Sequence, residues 1–567
     1  MDPEKAQNSN TPASTTLAED YDAALHNGSL GKLDHGADPE ARIQQAKAQN
    51  QTEYPSGLNF FLIFASIMTA MFLVNLDRVI VTTAIPKITD DFKSAGDIGW
   101  YGSAFFLTSC AFQLFLGKVY AIFSVKFTFL ASILLFEIGS AICGAAPNSV
   151  AFILGRAIAG IGSAGIFSGA IVAIIHIVPL HKRAMYQGLF GAVFGVSCAA
   201  GPLMGGAFTS KLSWRWCFYI NLPLGAVAMA LIALLLDDAD DTKVRQSLGS
   251  RLKQLDILGT LLMVAATVCL VLALQWGGLK YPWNSGRIIA LFVVAALLYL
   301  GFALIQTLLP KTATINPALF KQRSIVAGFF VSLLLGSHLM IHVYYLPIWF
   351  QAIQGVSALQ SGIRLLPLLL ALVVSSVVGG IMIRKVGYYT PLLLVGVILS
   401  SISAGLLYTL RVDTSQSQWV GYQVLYGLGL GCSMPAPKLA AQTVLPERDV
   451  SVGVAVMFFS QLLGGAIFVP VGQNVLQDQL RQRLSSVPGF DVQTITQNSV
   501  VGVTDLPDST RLTVLTAYND SLRRVFLVGL TLACLAIIPT LAMEWRSMKQ
   551  ENEEIEHDET SAGKSLN

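Results

Sequence analysis

Long apolar segments recur along this 567-residue chain from Leu58 onward. Most span about 18 to 24 residues, the length that an α-helix needs to cross a hydrocarbon core of about 30 Å. They predict fourteen membrane-spanning helices, near residues 58–77, 100–122, 127–146, 150–178, 185–208, 216–236, 256–275, 287–309, 325–348, 362–383, 391–410, 420–437, 450–475 and 524–543. Polar residues interrupt the first, fourth and twelfth. The pattern therefore predicts an all-α polytopic membrane protein.

The loops between these segments differ in positive charge. An even number of crossings places both termini on one side, and the short loops on that side hold most of the Lys and Arg residues. The opposite loops hold fewer, among them Arg78 and Lys87. Because cytosolic loops are enriched in Lys and Arg, both termini are predicted to be cytosolic. Asn519-Asp520-Ser521 is then a glycosylation sequon on the outward side, with Asn519 as the acceptor.

An internal repeat indicates two related halves. Gly160, Gly162 and Pro179 match Gly427, Gly429 and Pro446 at one offset, because 427 minus 160, 429 minus 162 and 446 minus 179 all give 267. Helices one to six would then correspond to helices nine to fourteen, with a substrate site between the halves near the bilayer midplane. The predicted organisation is a disordered cytosolic tail at 1–56, a six-helix bundle at 57–236, two inserted helices at 237–310, a second bundle at 311–545 with an outward polar loop at 476–523, and a cytosolic tail at 546–567.

Composition supports a membrane protein and argues against other classes. Hydrophobic residues make up 53% and charged residues only 13% of the chain, whereas soluble domains carry about 25% charged residues. The net charge of +3 is too small to indicate a nucleic-acid partner. The polar segments are shorter than a folded catalytic domain of about 50 to 250 residues, so we expect no enzyme. The first 56 residues lack an apolar stretch behind a basic one, so no cleavable signal peptide is predicted.

The stretch GRAIAGIGSAG, residues 155–165, contains the order Gly-x-Gly-x-x-Gly. A dinucleotide site requires a strand before the glycines, a helix beginning at them and an acidic residue about 20 positions later. Here the glycines lie inside one apolar helix, and His176 is nearest to the acidic position. Small residues in a membrane helix instead permit close approach of another helix, which we expect of Gly160 and Gly162.

Arg156 lies within the fourth apolar segment. A guanidinium there costs about 2.5 to 3.5 kcal/mol on insertion scales and requires a partner inside the protein. Asp77 and Glu137 are the candidates; Asp77 could also be a helix-end carboxylate in water, and Glu137 a structural acid bonded to a neighbouring helix. An acid that titrates beside Arg156 would couple proton movement to a conformational change. Gln423 occupies the position of Arg156 in the second half, so the halves differ in charge.

The ninth and twelfth helices carry candidate cavity residues. His338 and His342 lie four residues apart on one face, but HLMIH lacks the Glu of HExxH and a third ligand, so no metal is expected. They line a cavity or bond a neighbouring helix. Tyr344, Trp349 and Gln351 offer aromatic faces and an amide to a bulky ligand, as Gln423 does in the twelfth helix. An interfacial aromatic belt explains Trp349 equally well.

Five motifs in order resemble a known family. LDRVIVTTAIPKI (76–88), LGRAIAGIGSAG (154–165) and GVSCAAGPLMGG (195–206) resemble the first-, fourth- and fifth-helix motifs of the fourteen-helix drug:proton antiporters of the major facilitator superfamily. WRWCFYINLPLG (214–225) and YYLPIWFQAIQGVSALQSGIRLLP (344–367) are typical of fungal members that export toxins and other secondary metabolites. The resemblance covers about residues 58–545. One departure is Ala121, which stands where the pattern between helices two and three carries Asp and weakens a charge latch there.

The resemblance implies the major facilitator fold and a mechanism. Asp77 and Arg156 would couple protons, with Glu137 as the other candidate acid. The fifth helix would be flexible, closely packed and linked to export. It owes this to a set of small residues, namely Gly195, Gly201, Pro202, Gly205 and Gly206. The expected function is alternating-access export of a small organic toxin, drug or secondary metabolite, with protons as the coupling ion and no cofactor. A monomer in the plasma membrane is expected, or alternatively in a vacuolar or vesicle membrane. Proton-coupled uptake, for example of an iron chelate, is the alternative function.

Overall fold

The computed structural model describes residues 55–94, 97–236, 248–278, 280–310, 312–484 and 508–547. These segments hold helices and turns without a β-strand, which confirms the predicted all-α class. The long helices are α1 Gly57–Phe92, α2 Ile98–Ile122, α3 Val125–Ala145, α4 Ser149–Ile177, α5 Leu180–Lys211, α6 Asn221–Leu235, α7 Ile257–Trp276, α8 Gly286–Leu308, α9 Arg323–Gln354, α10 Leu366–Val386, α11 Thr390–Tyr408, α12 Gln416–Ser433, α13 Glu447–Leu484 and α14 Asp508–Leu535.

Short helices fill several of the connections. Their bounds are Trp216–Tyr219, Leu248–Leu252, Ala358–Ile363, Ala436–Val444 and Ile537–Leu541, with a 3-10 helix at Pro317–Lys321. Among the described residues, thirteen spans are long and apolar enough to cross a membrane. The helix that does not reach this hydropathy is α12, whose first turns carry several Gln and Ser residues. The chain is therefore a multi-pass membrane protein.

The predicted bounds are wrong at three helices that carry polar residues. The sequence pattern ends the first helix at residue 77 and places Arg78 and Lys87 in a loop, whereas α1 continues to Phe92. Likewise, α13 extends to Leu484 and α14 begins at Asp508, so much of the predicted outward loop at 476–523 is helical. Hydropathy cannot detect polar residues that a neighbouring helix accommodates. The predicted tails at 1–56 and 546–567 lie almost wholly outside the described residues.

The helices pack in two groups with the same internal arrangement. In the first group, α2 and α3 pack on α4, and α5 and α6 pack on α1. In the second, α10 and α11 pack on α12, and α13 and α14 pack on α9, so each pair recurs eight helices later. The groups meet where α2 packs on α13 and α5 on α10, while α7 and α8 form a pair beside α2. Residues from Gly57 onward form one compact unit, and the predicted domain boundaries stay a prediction.

Glycines make the equivalent helix contacts possible in both groups. A methyl group added at Gly160 would lie 2.4 Å from a backbone carbonyl oxygen of α2, and one at Gly162 would lie 2.4 Å from a backbone nitrogen of α3. In the second group, Gly427 meets a backbone carbonyl oxygen of α10 at 2.2 Å, and Gly429 meets a backbone nitrogen of α11 at 2.6 Å. The fourth helix of each group is thus held by backbone-to-backbone contact that only glycine permits.

Helix α5 uses glycines on two faces. A methyl group at Gly195 would lie 2.2 Å from a Val side chain of α10, whereas Gly201 and Gly205 face α1 at 2.7 Å and 3.0 Å from side-chain and backbone atoms. Gly206 has no atom within 4 Å of such a methyl group, so it does not share the close packing expected of this motif. Pro202 lies inside the helix between these contacts and removes one backbone donor there.

The contact between α5 and α1 predicts that alanine substitutions at two adjacent glycines have different effects on stability. Gly205→Ala should destabilise the protein by about 1 to 3 kcal/mol, because the added methyl group overlaps atoms of α1. Gly206→Ala should leave stability unchanged or slightly raised, since its methyl group enters open space. The midpoint of thermal unfolding of each purified variant in detergent measures this. Equal midpoints for the two variants would contradict the close α1–α5 contact.

Candidate functional site

The centre of the first group holds an ion pair. Arg156 on α4 donates from Nη1 to Oδ2 of Asp77 on α1, and neither side chain is exposed to solvent. Asp77 lies well inside α1 and not at a helix end in water, so that interpretation is wrong. Of the two candidate acids, Asp77 is the one that the structure brings to Arg156.

Groups on α2 contact the ion pair, and each of its two side chains keeps one polar atom without a hydrogen bond among the described residues. Arg156 donates from Nε to the backbone carbonyl of Tyr101 on α2 at 2.9 Å, and its guanidinium lies 4.6 Å from the ring centroid of Phe105. Among the described residues, neither Oδ1 of Asp77 nor Nη2 of Arg156 has a hydrogen-bond partner. The Asp77 carboxylate therefore keeps one oxygen whose capacity to accept a hydrogen bond these residues leave unused.

Glu137 stands apart from this pair. It lies on α3 with 7% of its surface exposed, and its carboxylate packs on Gly225 of α6. Within the described part of the chain, neither of its oxygens has a hydrogen-bond partner, so the expected bond to a neighbouring helix is not formed. The role of Glu137 in proton coupling stays a prediction. Its carboxylate takes no part in the contact between Asp77 and Arg156.

Arg78 is the polar residue that the sequence analysis missed. It follows Asp77 on α1 and is half-buried, with Nη2 lying 3.4 Å from the Ser109 hydroxyl and 3.3 Å from the Ser163 hydroxyl. The hydropathy pattern places Arg78 in a loop because the apolar segment ends one residue earlier. The signal that could have found it is the apolar stretch VIVTTAI that follows it and continues the helix.

In the second group a neutral network occupies the space between the first and fourth helices. The Tyr426 hydroxyl on α12 lies 2.6 Å from Nδ1 of His338 and 2.9 Å from Nδ1 of His342, both on α9. All three side chains are fully buried. The histidines thus bond a neighbouring helix, one of the two expected roles. Gln423, three residues before Tyr426, is also fully buried, and its amide has no partner among the described residues.

The remaining cavity candidates are dispersed. Trp349 is fully buried and donates from Nε1 to Oδ1 of Asn519 at 2.8 Å, so it belongs to the core and not to an interfacial belt. Asn519 is 3% exposed and donates its amide to a backbone carbonyl, which argues against a glycan at this residue. Tyr344 is 51% exposed, and Gln351 is half-buried and donates to Ser361 at 3.1 Å. These residues do not form one cavity wall.

The two groups make polar and close-packed contacts with each other. We call the end at which α1 begins and α14 ends the terminal side. There Gln187 of α5 donates to Gln442 of the second group at 3.0 Å, and Gly117 of α2 packs against Ala455 of α13. At the opposite end, the described apolar cluster around Phe152 and Trp214 contains residues of the first group only. At that end the short helix Ala358–Ile363 packs on α5, with Gly362 beside Pro202.

These features define a class of protein: a helical membrane transporter built of two related helix groups that pack against each other. The chain belongs to the Major Facilitator Superfamily, whose sequence profile matches residues 67–469. It is 49% identical to the MFS-type efflux pump MFS1 of Trichophyton rubrum, over 91% of this chain and 98% of that protein. It is 47% identical to the rubrofusarin-specific efflux pump aurT of Gibberella zeae, over 88% and 92%.

A solved structure supports the same fold. The proton:xylose symporter XylE, bound to 6-bromo-6-deoxy-D-glucose, superposes with a TM-score of 0.55 at 13% identity, over 87% of this chain and 98% of that chain. The family expected from the motifs is therefore confirmed, as is the similarity to fungal efflux pumps. The family and the names of these relatives point to a transporter.

The ion pair predicts that the effects of substituting Arg156 and Asp77 on stability are not additive. Arg156→Gln should destabilise the protein by about 3 to 5 kcal/mol, because it leaves the Asp77 carboxylate buried without a counter-ion. Adding Asp77→Asn should recover most of this loss, since both charges are then absent. Thermal unfolding of the single and double variants in detergent gives the coupling. A double variant less stable than either single variant would show that the two charges do not compensate each other.

Proposed function

We propose that this protein exports small organic molecules by exchange for protons, alternating between two states of its helix groups. The observation that supports this most directly is the buried ion pair between Asp77 and Arg156. An ionisable pair at membrane depth is costly and is retained where it does work on protons or ions. The efflux pumps to which the chain is similar support export as the direction.

Protonation of Asp77 would change the balance of charge within the first group. A proton on the free Oδ1 removes the negative charge and leaves the Arg156 guanidinium without compensation, so a conformation that rehydrates Arg156 becomes favourable. A proton shifts the conformational equilibrium only by its differential affinity for the two states. Substrate would shift it in the opposite sense, and competition for these states couples the two fluxes.

Helix α5 would transmit this change to the second group. Gly201 and Gly205 hold α5 against α1 close to Asp77, and Gly195 holds the opposite face of α5 against α10. A displacement of α1 relative to α4 would therefore reach the contact between the two groups through α5. Pro202, which permits a bend in α5, lies between Gly201 and Gly205.

The conformation of the structure agrees with this cycle. One apolar cluster on the terminal side includes residues of both groups, whereas the apolar cluster around Phe152 and Trp214 at the other end belongs to the first group alone. With both termini in the cytosol, opening at that other end would give external protons access to Asp77, which is fully buried in this conformation. We propose the plasma membrane as its location, with a vacuolar or vesicle membrane as the alternative.

Removing the acid tests the coupling. In inside-out vesicles with an acidic interior, the wild-type protein should accumulate a fluorescent aromatic dye, and a panel of rhodamine 6G, Nile red and fluorescein covers cationic, neutral and anionic substrates. Asp77→Asn should abolish accumulation driven by the pH gradient, because no carboxylate remains to carry the proton. Asp90→Asn is the matched control, since it changes an exposed Asp near the end of the same helix.

Two results would contradict the proposal. Gradient-driven accumulation by Asp77→Asn at the wild-type rate would remove this carboxylate from the coupling. Accumulation only when the gradient is reversed would indicate proton-coupled uptake, the alternative function. Measuring the rate in both gradient directions for wild type and both variants therefore separates exporter, uptake carrier and uncoupled transport in one experiment.

A further inference from the structure

Two basic side chains lie on opposite sides of the contact between the helix groups without a carboxylate partner. Arg78 belongs to α1 of the first group, and Lys438 belongs to the short helix Ala436–Val444 of the second. The Lys438 ammonium donates to the Gln461 side chain at 2.9 Å and to a backbone carbonyl at 3.2 Å, and this residue is 8% exposed. Among the described residues, no carboxylate oxygen lies within 4.0 Å of either cation.

Aromatic rings connect these two cations. The Arg78 guanidinium lies 4.5 Å from the ring centroid of Phe167 on α4, and the Lys438 ammonium lies 4.8 Å from that of Phe458 on α13. The rings of Phe167 and Phe458 contact each other across the interface, with centroids 5.6 Å apart. One part of the contact between the groups is therefore an aromatic pair with a cation against each ring. We call these four residues the cation-aromatic bridge.

Arg78 retains unused capacity to bind an anion. Its two bonds to serine hydroxyls are long, at 3.3 Å and 3.4 Å, where good N–H···O bonds measure about 2.7 to 3.2 Å. Its Nε has no partner among the described residues. The Nε atom is itself buried, while the residue as a whole is half-buried. Two further rings, of Phe105 and Phe106, lie 5.4 Å and 5.2 Å from the guanidinium.

The nearby acids do not neutralise this charge. Asp77 is paired with Arg156, so these two side chains together with Arg78 carry a net charge of +1. Glu137 packs on Gly225 of α6 and forms no ion pair with Arg78. A buried or half-buried cation without a counter-ion is costly, and a ligand that supplies the negative charge would recover that cost.

We propose that the cation-aromatic bridge is a binding site for an aromatic organic anion, such as an aryl carboxylate or a phenolate. The anionic group accepts hydrogen bonds from Arg78, and the aromatic body of the ligand packs against Phe106 and Phe167. Lys438 adds a second positive charge at the far end of the bridge, from the second helix group. The proposal rests on the proposed function, because it names the substrate class of that transporter.

Matched ligands of one shape test the charge requirement. Purified full-length protein in lipid nanodiscs is equilibrated with 2-naphthoate, its neutral isostere 2-naphthamide and the cation 2-naphthylmethylammonium, and binding is measured by equilibrium dialysis. Wild type should bind the naphthoate at least about tenfold more tightly than the amide, since hydrogen bonds to charged groups are worth about 1.5 to 3 kcal/mol. Arg78→Gln should bring the two affinities within about twofold, because the amide side chain donates without charge.

Three further variants separate charge from structure. Arg78→Lys should keep a preference for the anion, because it preserves the charge. Lys438→Gln should reduce the preference by a smaller factor than Arg78→Gln, since Lys438 already donates to Gln461. Lys280→Gln is the matched control: it removes an exposed cation that also lies near an aromatic ring, that of Trp276 at 5.6 Å, away from the bridge. It should not change the preference.

Several outcomes would overturn the proposal. These are equal affinity of wild type for naphthoate and naphthamide, tighter binding of the cation, no measurable binding of any of the three, or an unchanged preference in Arg78→Gln. The proposed function has a separate readout, the gradient-driven accumulation of dyes in vesicles. A protein that exports Nile red or rhodamine 6G but shows no preference for naphthoate would retain the transport function and lose the anion site.

Discussion

The structure of the first helix group depends on one charge pair in a place without water. An isolated guanidinium or carboxylate at this depth would be strongly destabilising, so Arg156 and Asp77 can be buried only together. Their contact fixes the rotation of α1 and α4 about their own axes. The glycines of α4 then bring its backbone against α2 and α3, which places the Tyr101 carbonyl within reach of Arg156. Packing and electrostatics are therefore satisfied by the same helix orientation.

The two groups share a packing plan and differ in charge. Gly160 and Gly427 make equivalent backbone contacts, yet the space between first and fourth helices holds an ion pair in one group and a bonded Tyr and His network in the other. If both groups responded to protons alike, protonation would displace them together and change little at the interface between them. Placing the charged pair in one group lets it move against the other.

The sequence alone predicted the fold well where a bilayer sets the length of each apolar segment. It failed at α1, because hydropathy counts Asp77 and Arg78 as polar whether or not another helix receives them. No feature of the local sequence indicates that Asp77 and not Glu137 is the partner of Arg156. The same holds for the burial of Trp349 against Asn519. Each depends on how two helices distant in sequence are rotated toward each other, and only the packed structure supplies that.

The order of residues on α1 explains how one helix could serve protons and substrate separately. Neighbouring side chains on a helix project about 100° apart, so Asp77 can face α4 while Arg78 reaches Phe167 at the contact with the second group. A movement of α1 that breaks the ion pair must then also move Arg78. The two side chains need no bond to each other for this, because the rigid helix backbone connects them. Protonation of Asp77 would therefore act on a ligand held by Arg78 in two ways. It would displace α1, which carries Arg78, and it would remove the negative charge of Asp77.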